Sequence, residues 1–118
     1  MQFLSRFGAF AAIACTGLMC VAEASFVGDA TWFNTGLGSC GINNVDTDFV
    51  VALNSAQAAG NAHCGQRVQV QYQGATVFAT VVDTCPGCGV NGIDLTPAAF
   101  QMLAPLTVGR IQVTWDFA

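Results

Sequence analysis

Only 8% of the 118 residues are charged, and three strong bases stand against seven acids for a formal net charge of −4. Binding a phosphate backbone requires clustered Lys and Arg, so the composition argues against nucleic acid as a partner. A chain of this length makes one domain.

The first 24 residues, MQFLSRFGAFAAIACTGLMCVAEA, place Arg6 before an apolar run and end on Ala22-Glu23-Ala24, the small-x-small pattern of a secretory cleavage site. The run from Phe7 to Val21 falls short of the roughly 20 apolar residues that span a bilayer. A signal peptide over 1–24 is therefore expected, and a membrane anchor is not. Its removal takes Arg6, Glu23, Cys15 and Cys20 with it.

The mature segment, 25–118, then has 94 residues and no lysine. Its strong bases are Arg67 and Arg110, and its acids are Asp29, Asp46, Asp48, Asp83, Asp94 and Asp116, so the charge stays at −4. Such a surface, rich in Gly, Asn, Gln, Thr and aromatic residues, suits a neutral hydrogen-bonding partner such as a polysaccharide; it equally suits any small exported domain. Four cysteines remain, Cys40, Cys64, Cys85 and Cys88. An even count in a short exported chain reads as a disulfide framework, with three pairings open.

In chain order, FVGDATWF (26–33) and DFVVAL (48–53) are candidate strands, and NSAQAA after Leu53 fits a single helical turn. RVQVQYQ (67–73) alternates Val68, Val70 and Tyr72 against three glutamines, a half-buried strand. The Gln73-Gly74 pair offers a tight turn into ATVFATVVD (75–83), whose more continuous apolar run predicts cover on both faces. In TPAAFQMLA, Thr96 is placed to cap, Pro97 fits the first helical position, and Phe100 and Leu103 share a face. RIQVTWDF (110–117) alternates again. Five or six short strands with one helix before the last predict a small closed barrel.

The stretch VVDTCPGCGVNGIDL (81–95) concentrates two of the six aspartates. Asp83 ends an apolar strand, where pleat and barrel rim can hold it, and Asp94 stands just before a helix start, where the dipole favours negative charge. Gly87, Gly89 and Gly92 let the loop between them fold back, so the two carboxylates can meet in one cleft. A carboxyl near apolar walls can keep its proton and serve as a general acid. The plainer reading makes Asp94 a helix-entry residue and Asp83 a partner for loop N–H groups.

Gly28-Asp29-Ala30-Thr31-Trp32-Phe33, Gly36-Leu37-Gly38-Ser39-Cys40-Gly41, Val51-Ala52-Leu53-Asn54, His63-Cys64-Gly65, Val82-Asp83-Thr84-Cys85-Pro86, Ile93-Asp94-Leu95-Thr96-Pro97 and Gly109-Arg110-Ile111-Gln112-Val113-Thr114-Trp115 follow in an order that spans 25–118. Together they resemble the double-psi β-barrel superfamily of rare-lipoprotein-A-like domains, barwin, expansin catalytic domains and small loosenin-like secreted proteins. The resemblance implies a six-stranded barrel with one or two short helices and an open groove that binds glycan. It implies site roles for Thr31, Asp83 and Asp94. Aromatic faces stack on sugar rings, which favours Trp32 or Phe33, with Asn34, in the groove and Trp115 in the core, although Trp32 directly follows Thr31 and alternates to the other side unless the strand bulges. The resemblance also implies pairing of Cys40 with Cys64, which leaves Cys85 with Cys88; the alternative joins Cys64 to one of the latter two.

Departures from the pattern limit the chemistry. Glycoside hydrolysis needs an acid and a partner carboxylate, and barwin-related endoglucanases carry that partner close after the first-strand threonine. Here the segment reads Thr31-Trp32-Phe33-Asn34-Thr35, without an aspartate. Weak or no hydrolysis is expected, with expansin-like disruption of contacts between chains. Gly92-Ile93 replaces the His-Phe usual in expansins before the second aspartate, and Thr84 replaces the arginine that follows the first in lytic transglycosylases.

Bacterial members with similar GLGACG and VVDxCPGC motifs inhibit papain-like cysteine proteases, so a protein-binding module, or a secreted effector or defence protein, is the alternative. The CPGC motif is read as a disulfide rather than a redox site, since glycines and not a helix follow it. Zinc held by Cys85, Cys88, Cys64 and His63 is disfavoured by export. No cofactor, metal or membrane partner is expected, and the mature chain is expected to be a monomer.

Overall fold

The computed structural model describes residues 25–118, so the expected signal peptide lies outside the described residues. Six strands form: β1 (Phe26–Trp32), β2 (Val50–Asn54), β3 (Arg67–Tyr72), β4 (Ala75–Cys85), β5 (Ile93–Leu95) and β6 (Arg110–Phe117). They close into one mainly β barrel in the order β1-β5-β2-β4-β3-β6. The pairs β1–β5 and β2–β4 are parallel, and the other four are antiparallel. Among the described residues, closure leaves each barrel strand paired on both sides.

Alternation fills the interior. Val68 and Val70 from β3, and Ile111, Val113 and Trp115 from β6, point inward and are almost fully buried. They meet Ala30, Val51, Leu53, Val77, Ala79, Val81, Ile93 and Leu95 in one cluster. Each fully buried Val, Leu or Ile contributes roughly 1.5–3 kcal/mol relative to an exposed one. Trp115, 1% exposed, satisfies its indole N–H by donating to the Asn91 carbonyl at 2.8 Å.

The hairpin between β3 and β4 turns on Gln73 and Gly74, both at positive φ (48° and 84°), the geometry that matches strand twist. The expectation that 75–83 is covered on both faces holds only near its end. Thr76 and Phe78 are exposed on the outer side, and successive residues become buried at Val81 and Val82.

Helix α1 (Ser55–Ala58) is capped by Asn54, whose side chain accepts from Gln57 N at 3.1 Å. Helix α2 (Pro97–Gln101) is capped by Thr96, with Pro97 in its first turn, and seats Ala99 and Phe100 in the core. A 3-10 turn, Leu106–Val108, leads into β6. None of the helices in the described residues is long and apolar enough to cross a membrane.

Candidate functional site

The three residues singled out for chemistry lie on one cross-strand row. Thr31 on β1 pairs with Asp94 on β5, Asp94 pairs with Ala52 on β2, and Ala52 pairs with Asp83 on β4. Registered partners project to the same side of a sheet. Thr31 alternates with the buried Ala30, and Asp94 lies between Ile93 and Leu95, both fully buried, so the shared side is the outer one.

Asp83 reaches that side through an irregularity in β4. Val51 pairs with Val81, but Ala52 pairs with Asp83, so Val82 is an extra residue on β4. Val77, Ala79 and Val81 point inward, and a regular strand would send Asp83 inward with them. The bulge reverses the pleat and delivers its carboxylate to the outer face. Ala52, only 2% exposed, lies between the two aspartates in this row and is covered from solvent. Two strand spacings separate the aspartate Cα atoms, roughly 10 Å.

The environments of the aspartates differ. Thr31 Oγ1 donates to Asp94 Oδ1 at 2.8 Å, and the sulfurs of Cys85 and Cys88 lie within 4.8 Å of the Asp94 carboxylate. Burial pushes the Asp94 carboxyl above the usual aspartate range; the Thr31 hydrogen bond and Arg110 pull against that, and Asp83 reinforces it. Asp83 Oδ1 instead accepts from Ser39 N at 2.9 Å and Thr84 N at 2.8 Å. The plainer role for Asp83 is therefore present in the structure: it fastens the loop carrying Gly38 and Ser39.

That loop is clamped from several sides. Cys40 N donates to the Val82 carbonyl at 3.1 Å, and Cys40 is disulfide-bonded to Cys64. A Cβ on Gly38 would sit 2.4 Å from the Val82 carbonyl oxygen, so no larger residue approaches the bulge this closely.

Cys85 and Cys88 form the second disulfide. It closes a tight double turn in which Cys88 N donates to Cys85 O and Gly92 N to Gly89 O. None of Gly87, Gly89 and Gly92 adopts positive φ; the left-handed position in this loop is Asn91, at φ 57°. Cys64 bonds to Cys40, and His63 stacks on Phe117 at 4.5 Å, so the cysteines and histidine considered for zinc are not brought together. With both sulfurs of Cys85 and Cys88 in a disulfide, Asp94 is the single anionic ligand in their cluster.

The aromatic and amide expectations separate. Trp32 lies with the core rather than beside Thr31, as strict alternation requires, and its Nε1 donates to the Leu106 carbonyl at 2.9 Å. Phe33 extends the β1–β5 ladder through its N–H to the Leu95 carbonyl and shares Thr31's side by the pleat. Asn34 is tied down, its Nδ2 donating to Asp46 Oδ2 at 2.7 Å. Asp46 also accepts from Thr35 N at 2.8 Å, and Asp48 from Val45 N at 3.0 Å; these bonds hold both carboxyls below the usual range. Asp46 and Asp48 were not singled out from sequence, although Asn43-Asn44-Val45-Asp46-Thr47-Asp48 has the composition of side-chain-to-backbone turns.

Beside the row lies an open depression of about 90 Å³ lined by Asp29, Thr31, Cys85, Cys88, Ile93 and Arg110, among others. Arg110 at its edge pairs with Asp29 at 3.1 Å.

Parallel β1–β5 and β2–β4 pairs in a closed six-stranded barrel, with both aspartates on one outer row, agree with a family match over residues 25–115 to the double-psi β-barrel family described as lytic transglycolase. The chain belongs to this family.

Several known proteins are similar to it. An Asp f 7 allergen homolog from Arthroderma benhamiae is 38% identical over 90 residues, 71% of this chain and 31% of that protein. Allergen Asp f 7 of Aspergillus fumigatus is 37% identical, and 36% of it is matched, so the chain spans about a third of these curated relatives. Among solved structures, the Streptomyces papain inhibitor superposes with a TM-score of 0.73 at 34% identity, covering 80% of this chain and 94% of that one. A mutant Clavibacter michiganensis expansin in complex with cellohexaose gives 0.74 at 28% identity, covering 80% and 50%.

Proposed function

We propose that this chain is a secreted protein that holds a cell-wall polysaccharide in the open groove and loosens it with little or no bond cleavage. The observation that carries this reading is the outer row Thr31–Asp94–Ala52–Asp83, two carboxylates on either side of a small, covered alanine. The likeness to an expansin bound to cellohexaose supports a glucan as the ligand class.

Asp94, whose hold on its proton burial strengthens, is placed when protonated to donate a hydrogen bond to a glycosidic or hydroxyl oxygen. Cleavage needs a second carboxylate free to act as base or nucleophile. Asp83 Oδ1 is committed to two backbone N–H groups, Asp29 pairs with Arg110, and Asn34 stands where a partner acid is absent. Phe33 supplies an apolar ring beside the groove, and Thr31 orients Asp94.

The test is adsorption of the mature protein to cellulose, chitin and peptidoglycan, wild type against Asp94→Asn, with release of reducing sugar measured in parallel. Uptake and loosening by wild type, loss of loosening in the variant and no released sugar are expected. Failure to bind any glycan sinks the reading, and abundant reducing ends sink its non-hydrolytic part.

A second reading has its own support: the alignment covers 94% of the Streptomyces papain inhibitor chain against 50% of the expansin. On that reading the barrel presents a protein-binding surface to a papain-type cysteine protease. A papain assay on the same sample decides it, since inhibition without glycan uptake favours this role.

A further inference from the structure

The barrel order places β3 opposite β5, and β6 opposite β2, so the outer face of β4-β3-β6 looks away from the groove. Its residues are aligned by register. Thr76 pairs with Gln71 and Gln71 with Thr114; Phe78 pairs with Gln69 and Gln69 with Asp116. All six side chains are exposed or half-buried, and Phe78 retains 40% exposure, unusual for a phenylalanine on a regular strand. The Arg67 guanidinium sits 4.6 Å from the Phe78 ring centroid and braces it from one side.

We infer that this face is a second glycan-contacting surface, which takes a neutral polysaccharide at the surface of an insoluble wall. Three arguments select that occupant. First, the array of six carries one anion, Asp116, with Arg67 beside it, and Arg110 at the far end of the same side of β6 is paired with Asp29, so the array matches an uncharged ligand better than an ionic one. Second, Gln69 and Gln71 each offer an amide donor and acceptor, and Thr76 and Thr114 offer hydroxyls, the groups that exchange hydrogen bonds with sugar hydroxyls. Third, neighbouring strands stand about 4.8 Å apart, a step comparable to one sugar ring along a chain, and the Phe78 ring offers an apolar platform at the edge of the array.

This inference rests on the polysaccharide reading above and deepens it. A groove on one side and an adsorbing face on the other let one molecule engage two chains, so that local attachment raises the effective concentration of the groove.

The test uses the full mature chain with two exposed substitutions, Phe78→Ala and Gln71→Glu, alongside Asp94→Asn. Adsorption to insoluble cellulose and titration with soluble cellohexaose are both measured, with thermal melts confirming that each variant folds. Phe78→Ala and Gln71→Glu are expected to lower the adsorption constant about tenfold while leaving cellohexaose binding unchanged; Asp94→Asn is expected to do the reverse. Wild-type adsorption in both face variants overturns the second surface and leaves the groove reading intact. Absence of wild-type binding to either ligand overturns the polysaccharide reading and the second surface with it.

Discussion

Thr31 and Asp94, 63 positions apart in sequence, are joined at 2.8 Å from hydroxyl to carboxylate across parallel strands. The hydroxyl favours the charged form of a carboxyl whose hold on its proton burial strengthens. Thr31→Val removes the donor with little change in volume. The Asp94 titration, followed by carboxyl NMR, is expected to move upward, with oligosaccharide affinity falling about fivefold. An unmoved titration means the hydroxyl does not set the protonation of Asp94.

Asp94 and the loop aspartates give stability opposite dependences on pH. The folded value of Asp94 is raised, so its contribution is fully present below the unfolded value near pH 3.9 and is lost as pH rises through the folded one. Asp94→Asn is accordingly expected to unfold at a higher temperature than wild type at neutral pH. Asp46 and Asp48 are lowered, so their contribution is present above the unfolded value and is lost as pH falls through the folded one. Asp46→Asn is expected to lower stability at neutral pH and to flatten the acid limb of the profile. Melting curves from pH 2 to 8 check both signs.

Gly38 is the tightest contact in the wall that carries Asp83. A Cβ there meets the Val82 carbonyl oxygen at 2.4 Å, whereas one on Gly87 meets nothing within 4 Å. Gly38→Ala is expected to cost about 1–3 kcal/mol by denaturant unfolding and to weaken glycan binding by moving Asp83. Gly87→Ala is the control and is expected to be near neutral.

The two disulfides differ in the loop they close, with sequence separations of 24 and 3. Chain entropy assigns about 3.5 kcal/mol to Cys40–Cys64 and about 2 kcal/mol to Cys85–Cys88. Replacing each pair with serines and measuring unfolding in denaturant is expected to reproduce that order. Loss of Cys85–Cys88 is also expected to lower the Asp94 titration, because it opens one side of the carboxyl to water.

The strands with clean alternation were legible in the sequence. Val68, Val70, Ile111, Val113 and Trp115 are buried where period 2 puts them, and Gln73-Gly74 forms the turn its residue types suggest. Strand β5 was not separately legible, because Ile93–Leu95 spans three residues and shows no period of its own. The bulge at Val82 was also hidden: hydrophobicity reads Val81-Val82-Asp83 as a strand end, while its effect is to turn Asp83 from core to surface. Trp32 followed the alternation that argued against a place beside Thr31. The roles of Asp46 and Asp48 depend on a loop whose shape becomes evident only once its partners, Thr35 and Val45, are placed.

The central claim is that a sugar chain lies along the outer row and engages Asp94 and Asp83. Backbone NMR of the mature protein titrated with cellohexaose tests it most directly, with Asp94→Asn as the variant that changes the row at nearly constant shape. The account predicts shifts centred on Thr31, Ala52, Asp83 and Asp94, and about a tenfold loss of affinity in the folded variant. Shifts clustered elsewhere, or unaltered binding in Asp94→Asn, would contradict it.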